Sequence, residues 1–373
     1  MKRRNFYTGI FSFLTVLLYL TACSEQTSSD IAESKLSNIA VNQSPTVNNG
    51  STVPTWLKQT EDGQWSMPAK DYASTRFSGL DDINVDNVKD LKLAWTFSTG
   101  VTPGHEAAPV MVDDTLYVIT PFPNTVYALD LDGGKKWEYT PSTAREAQGL
   151  ACCDVVNRGL VHSKGKIFFN TLDNHAVALD AKTGKELWKT RVGELERGET
   201  MTMAPLVVKG KMLVGNSGGE MGVRGWLKAL DVDTGKLLWT AYSTGPDHEV
   251  LIGDEFKAFY PQDNGKDLGV KTWPPDLWKI GGGTVWGWLS YDPELDLVYY
   301  GTGNPGPWNP DLRRGDNKWT LTVFARRPDN GSAIWAYQIE PHDLYDYDGV
   351  NESLLMDIPV NGEQRKVLVR PER

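Results

Sequence analysis

Ala128-Leu129-Asp130 followed by Trp137, Ala178-Leu179-Asp180 followed by Trp188, and Ala229-Leu230-Asp231 followed by Trp239 are three copies of one pattern. The second and third copies share a turn, Thr183-Gly184-Lys185 and Thr234-Gly235-Lys236. A weaker fourth copy runs from Ala325 to Trp335, with Asp329-Asn330-Gly331 as its turn. The tryptophans are spaced by 51, 51 and then 96 residues, so the last gap is expected to hold two periods. The copy inside that gap is expected at Leu289-Ser290-Tyr291-Asp292-Pro293, ahead of Leu297 to Tyr300. Each unit reads as a strand, an Asp- and Gly-containing turn and a second strand, with apolar residues alternating as in Thr115 to Thr120. A period near fifty residues with short strands is the pattern of a β-propeller blade, which buries its apolar faces only against its neighbours. Independent hairpins would have no reason to repeat Ala-Leu-Asp, Gly and Trp in register.

The rest of the composition agrees. The chain has 373 residues, of which 40% are hydrophobic and 23% charged, as in ordinary globular proteins. That length exceeds what one hydrophobic core fills and calls for several domains or one repetitive fold. Gly (36) and Pro (21) are plentiful and Trp (14) outnumbers His (5), which suits short strands joined by turns. The net charge of −10 excludes partners bound by neutralising phosphates, so no nucleic-acid role is expected.

Lys2, Arg3 and Arg4 precede the apolar stretch Ile10–Leu20, which is too short to span a bilayer and has the build of a secretory signal. Leu20-Thr21-Ala22-Cys23 resembles a bacterial lipobox, so residues 1–22 are expected to be a lipoprotein signal peptide. Cys23 would then be the lipidated N-terminus, anchored in the outer membrane on its periplasmic side. Removing residues 1–22 takes away three positive charges and no negative one, leaving −13. Residues 23–60 are rich in Ser, Thr, Asn and Gln and cannot bury enough surface to offset their ordering entropy, so they read as a flexible tether. Residues 61–373 form the repetitive domain.

Two motifs point elsewhere and are set aside. Gly301-Thr302-Gly303-Asn304-Pro305-Gly306 fits a dinucleotide fingerprint, but Pro305 and Pro307 exclude the helix that would receive pyrophosphate. Gly215-Asn216-Ser217-Gly218-Gly219 fits a hydrolase nucleophile elbow, but Gly222 and Gly225 interrupt the helix that must follow. Cys152-Cys153 is the most specific local feature. Adjacent Cα atoms lie about 3.8 Å apart, below the usual disulfide range of roughly 4.4–6.8 Å, so the residues alone leave open two thiols or a strained ring.

The repeat Ala-Leu-Asp-x-x-Thr-Gly-x-x-x-Trp resembles the tryptophan-docking motif of quinoprotein alcohol dehydrogenases, from about Asp62 to Arg373 and including Asp71-Tyr72-Ala73-Ser74-Thr75-Arg76. The resemblance implies an all-β, eight-bladed propeller of the pyrroloquinoline quinone (PQQ) dehydrogenase type. Only about five or six blades fit this length, as in a C-terminally truncated member. It implies a disulfide between Cys152 and Cys153 lying against PQQ, in the segment Ala151 to Gly159, with Arg158 contacting the cofactor and Trp286 of Gly281 to Trp288 as the opposite slab. Trp288 and the docking tryptophans are left to blade packing. Glu106, Thr202, Ser217, Gly218 and Gly219 would add polar contacts.

The metal ligands implied are Glu220, Asn304, Asp346 and Asp348, an oxygen-only set that selects a hard cation over Zn²⁺ or Cu²⁺. Asp346 matches the catalytic base, and Arg373 aligns with an active-site arginine. Asp348 matches an Asp found in lanthanide-dependent members where calcium-dependent ones have a small uncharged residue, so a lanthanide(III) ion is favoured, with Ca²⁺ as the alternative. If the segment is extended, Asp346 and Asp348 face the same side and both reach one ion.

The activity implied is oxidation of a primary alcohol to an aldehyde, with electrons passed to a periplasmic cytochrome c. Membrane contact would come only through the N-terminal lipid, and a homodimer is an open arrangement. The alternative is a non-enzymatic outer-membrane assembly scaffold of the BamB type, which shares the lipobox and the repeats but lacks the Cys pair, the stacking Trp and the ligand set.

Overall fold

The computed structural model describes residues 61–102 and 104–372; the expected signal, the tether, Cys23 and Arg373 lie outside them. Four sheets of antiparallel strands follow one another along the chain. The first is β1 (Val110–Val112), β2 (Thr115–Ile119), β3 (Val126–Leu129) and β4 (Lys135–Tyr139); the second is β5 (Val161–Ser163), β6 (Lys166–Asn170), β7 (His175–Asp180) and β8 (Glu186–Arg191). The third is β9 (Leu206–Val208), β10 (Lys211–Gly215), β11 (Trp226–Asp231) and β12 (Leu237–Tyr242). In the fourth, β14 (Leu289–Asp292), β15 (Leu297–Gly301), β16 (Thr322–Arg326) and β17 (Ala333–Gln338) carry an additional outer strand, β13 (Ile252–Ala258), parallel to β17. A hairpin of β18 (Leu354–Val360) and β19 (Glu363–Val369) begins a fifth blade.

The propeller is as expected, with four full sheets and the start of a fifth blade among the described residues. Leu289–Asp292 and Leu297–Gly301 are the first two strands of the sheet that ends in Trp335, not a separate repeat. The 96-residue gap is one blade enlarged by residues 243–288 and 302–321, which carry no repeat pattern.

The repeat itself has a physical account. In the sheets ending in Trp137, Trp188, Trp239 and Trp335 the register shifts by a bulge after the alanine of the motif. The following Asp turns the chain: Asp180 Oδ1 accepts the amide and hydroxyl of Thr183 at 2.8 and 2.6 Å, and Asp231 does the same with Thr234 at 2.8 and 2.7 Å. Trp137, Trp188 and Trp239 then dock on the turn of the next blade. Trp137 Nε1 donates to Ala181 O at 3.0 Å, Trp188 Nε1 to Val232 O at 3.1 Å and Trp239 Nε1 to Pro328 O at 3.0 Å. The indoles lie so close to Gly184, Gly235 and Gly331 that a Cβ there would fall within 2.7 Å of a ring atom. These glycines also have φ of 71°, 69° and 76°, so both backbone and space require glycine. Trp95, which no Ala-Leu-Asp precedes, does the same at Gly133, donating to Leu131 O at 2.8 Å.

Hydrophobic clusters fill the spaces between successive sheets, for example Ile119, Val126, Ile167 and Phe169 between the first two. Contacts from β1 to β5, β5 to β9, β9 to β14 and β14 to β18 make the first strand of every sheet the innermost. Residues 65–76 run across these inner strands. Trp65 pairs with Met111, Ser66 O accepts from His162 N, Tyr72 OH donates to Val207 O, and Tyr72 O and Ala73 O accept from Tyr291 N and Leu355 N.

Candidate active site

Antiparallel order places two kinds of connection at opposite ends of each blade. The tight Asp-Gly turns join the third strand to the fourth. The long segments before the first strand, and between the second and third, leave from the other end. Glu106, Cys152, Cys153, Arg158 and Thr202 lie on segments preceding β1, β5 and β9, and Trp286, Asp346 and Asp348 on those preceding β14 and β18. Ser217 to Glu220 and Asn304 lie between second and third strands. Every described candidate residue is therefore at one end.

Arg158 is the hub. Its backbone amide donates to Thr202 O at 3.0 Å and its Nη1 to Thr202 Oγ1 at 2.9 Å. Nη2 pairs with Glu106 Oε2 at 3.0 Å, and the guanidinium carbon lies 5.0 Å from the centre of the Trp286 ring. Thr202 Oγ1 is in turn 3.4 Å from Ser217 Oγ. Burial lowers the Arg158 pKa from its ordinary value, opposed by the negative charge of Glu106 and, less, of Asp348. Burial raises the Cys152 thiol, reinforced by a hydrogen bond with Cys153 and by Glu220 beside it.

The carrier segments interlock through backbone. Gly283 N donates to Asn304 O at 2.9 Å and Gly303 N to Thr284 O at 2.8 Å, joining the Trp286 and Asn304 segments. A Cβ on Gly303 would lie 3.3 Å from Trp286 Nε1, so the indole rests against that backbone. A Cβ on Gly218, which has φ 106°, would stand 2.2 Å from Gly198 O, so only glycine lets the turn before Glu220 pass this close. Gly219 O lies 3.0 Å from where a Cβ on Gly306 would stand, which brings the Glu220 and Asn304 segments together. Trp288 lies against Arg76, whose guanidinium carbon is 4.9 Å from the centre of its ring.

Three expectations differ from the structure. Cys152 and Cys153 are free thiols, exposed in a turn rather than bridged; at adjacent positions a bridge requires the backbone distortion that an ordinary turn avoids. Asp346 and Asp348 are not in an extended segment: their φ values are 58° and 68°. Left-handed backbone is open to Asp through its short polar side chain, and the same-face argument from strand geometry does not hold there. Among the described residues no three His, Cys, Asp or Glu side chains stand close enough together to hold a metal ion. The donor set nonetheless fits a hard ion by its chemistry, being carboxylate and amide oxygen throughout. Sequence reasoning missed Arg313 and Asp343, both buried, which tie the Asp346 segment to residues 307–317. The tie links positions thirty residues apart and leaves no local signal.

A cavity of about 910 Å³ is elsewhere: it is lined by Arg191, Arg224, Trp226, Tyr242 and Trp278 among others, and comes near the site at Gly222 and Val223. No helix among the described residues is long and apolar enough to cross a membrane.

Residues 65–373 match the family described as glucose/ethanol/alcohol dehydrogenase, beta-propeller domain. The chain is 56% identical over 319 residues to a lanthanide-dependent methanol dehydrogenase of Methylacidiphilum fumariolicum, covering 84% of this chain and 52% of that protein. It is 49% identical over 321 residues to methanol dehydrogenase (cytochrome c) subunit 1 of Methylobacterium organophilum, covering 84% and 51%. Among solved structures, a europium-containing methanol dehydrogenase superposes with a TM-score of 0.82 at 55% identity, covering 84% of this chain and 55% of that one. The chain thus spans about half the length of the curated relatives it matches.

The relatives are named methanol dehydrogenases, and against them the outer-membrane anchor expected at Cys23 does not stand. The lipobox resemblance rests on four residues behind a basic and apolar leader, a build that unacylated secretory signals share. The scaffold alternative falls for the same reason, because the relatives are named as dehydrogenases. With a propeller matched over residues 65–373 and relatives at this identity, the chain belongs to the PQQ-dependent alcohol/methanol dehydrogenase family.

Proposed function

We propose that this protein oxidises a primary alcohol, methanol or a close relative of it, to the aldehyde, using PQQ and a trivalent lanthanide ion. The observation that carries the reading is the cluster around Arg158. A partly buried guanidinium, two hydroxyls and a flat indole face are what a planar tricarboxylate needs for its charge and its ring. Arg158, Thr202 and Ser217 would hold the carboxylates, with Glu106 keeping the guanidinium in place. Trp286 would form one slab, and the Cys152-Cys153 turn the other.

When bound, PQQ supplies a two-electron hydride acceptor and the metal a Lewis acid that polarises it. Asp346 would take the hydroxyl proton of the alcohol as general base. Glu220, Asn304, Asp346 and Asp348 would present oxygen to the ion. The names of the relatives support the choice of alcohol, lanthanide and a cytochrome c acceptor. A third carboxylate at Asp348 suits a +3 ion, whose attraction to each carboxylate exceeds that of a +2 ion by half at equal distance.

The test is dye reduction with methanol and PQQ by the protein as its own cells make it, with Ca²⁺ and La³⁺ supplied separately. La³⁺ should support turnover, and Asp348→Ala should abolish it while the circular dichroism spectrum is kept. Equal activity with Ca²⁺ alone, or full La³⁺ activity in Asp348→Ala, would overturn the lanthanide assignment.

A further inference from the structure

We propose that Arg313 and Asp343 are positioning residues that fix the two carboxylates Asp346 and Asp348 relative to the Asn304 segment; this rests on the metal site proposed above. Asp343 is 1% exposed. Its Oδ1 accepts the amide of Tyr345 at 2.9 Å and its Oδ2 the amide of Tyr347 at 3.3 Å. Those two amides flank Asp346, and the second immediately precedes Asp348. One buried carboxylate therefore gathers alternate amides of the loop and stacks the rings of Tyr345 and Tyr347 at 5.3 Å. Between and after the captured amides the chain adopts the left-handed backbone of Asp346 and Asp348. Without these bonds the loop would relax toward conformations that non-glycine residues prefer, and the two carboxylates would be re-aimed.

Arg313 connects this loop to the other ligand segment. It is 2% exposed and uses three faces of its guanidinium. Nη2 donates to Asp343 O, Nη1 to Asn317 Oδ1 at 2.8 Å, and Nε to Pro307 O at 2.8 Å. Pro307 is three residues beyond Asn304. Asn317 Nδ2 returns a bond to Arg313 O at 2.7 Å, which closes the frame. A second brace lies outside it, where His342 N donates to Asp316 O at 3.2 Å. Lysine cannot substitute, because one ammonium cannot serve three acceptors fixed in a plane. Nothing in this arrangement touches the reacting atoms. Its effect is on ion affinity and on carboxylate aim, as for groups that orient ligands from behind.

The experiment is titration of the PQQ-loaded protein with Eu³⁺ alone, followed by ion luminescence, for wild type, Asp343→Asn, Arg313→Lys and Asp348→Ala. Asp343→Asn is nearly isosteric and turns one acceptor into a donor facing the Tyr347 amide, so it keeps the test open if Arg313→Lys does not fold. Near-UV circular dichroism checks folding in each. The expected result is Eu³⁺ affinity lowered about 10- to 100-fold in folded Asp343→Asn. Asp343→Asn binding Eu³⁺ as wild type does, while Asp348→Ala loses it, would overturn the brace and leave the metal site standing. Wild type that binds no Eu³⁺, or Asp348→Ala that binds it unchanged, would instead remove the metal site and the brace with it.

Discussion

The two ends of the propeller are built on opposite principles. At the turn end the first three blades repeat one solution: an Asp that captures amides within four residues, a glycine at positive φ, and a Trp from the preceding segment laid on it. At the loop end no two blades are alike. There Arg158 reaches Thr202 and Glu106, and Arg313 reaches Asp343, across 44, 52 and 30 residues of sequence. Repetition supplies stability at one end, and the freedom of the other end from repetition is what lets it carry chemistry. Substitutions at the two ends should therefore fail in different measurements.

The largest effect is expected at the loop end and in rate alone. Asp346→Asn should lower kcat by a factor of about 10² to 10⁴, the usual contribution of a general base. The midpoint of thermal unfolding should stay where it is, because Asp346 is an exposed loop residue. A fall in the midpoint as large as that of a core variant would break the division between the ends.

The turn end should answer in stability. Gly184→Ala puts a Cβ 2.6 Å from a Trp137 ring atom at φ 71° and should cost about 3 kcal/mol, part backbone strain and part displaced indole. Gly165→Ala has nearly the same φ, 73°, with nothing within 4 Å of the new Cβ, and should cost about 1 kcal/mol. Chemical denaturation of the two variants isolates the tryptophan contact. Equal losses would mean that docking contributes little beyond the turn.

The same contrast explains what could be read from the chain before its fold was seen. Asp180, Thr183, Gly184 and Trp188 make their turn within nine residues, so their spacing states their structure. Trp95 docks in the same way but lacks the preceding Ala-Leu-Asp, and it went unnoticed. The separate repeat expected at Leu289 to Pro293 failed because residues 243–288 and 302–321 enlarge one blade without any periodic mark. The candidate site residues were found only through the resemblance of their surrounding motifs, and the structure brings Glu106, Cys153, Arg158, Thr202, Trp286 and Asp348 together. The extended reading of Asp346 to Asp348 failed because Asp343, a few residues earlier, pulls the Tyr345 and Tyr347 amides inward. Partners such as Arg313 have no local pattern at all.

The loop end also holds a carboxylate with a structural task. Asp173 is 4% exposed on its side chain. Burial pushes its pKa up, but His175, Thr171 and the Ala144 amide outweigh that and lower it to about 2. A folded pKa below the unfolded value of about 3.9 gives stability that is complete above pH 4 and lost as pH falls toward 2, worth about 2 kcal/mol. Asp173→Asn should be less stable by roughly that amount at pH 6, with the gap to wild type closing by pH 2. Unfolding curves taken through that range check it, and a gap that stays constant down to pH 2 would show that the charge is not what stabilises.

The smallest effect tests whether the Asp of the repeat is only a local device. Asp231 Oδ1 accepts the amide and hydroxyl of Thr234 at 2.8 and 2.7 Å and the amide of Asp233 at 3.1 Å, all in an exposed turn. Hydrogen bonds from its neighbours, first the Thr234 hydroxyl and then the Thr234 amide, lower its pKa. Because water can replace each partner, Asp231→Ala should cost only about 1 kcal/mol, within the range for a lost turn or capping bond. Asp231→Asn keeps an acceptor oxygen and should cost less than half of that. The more informative quantity is the coupling to the neighbouring blade. Gly235, four residues on, receives Trp188, so the loss in Asp231→Ala combined with Trp188→Phe should fall short of the sum of the single losses if the turn positions the docking surface. Strict additivity in that double-mutant cycle would mean that the Asp shapes its own turn and nothing beyond it, and that blades are joined by the indole contact alone.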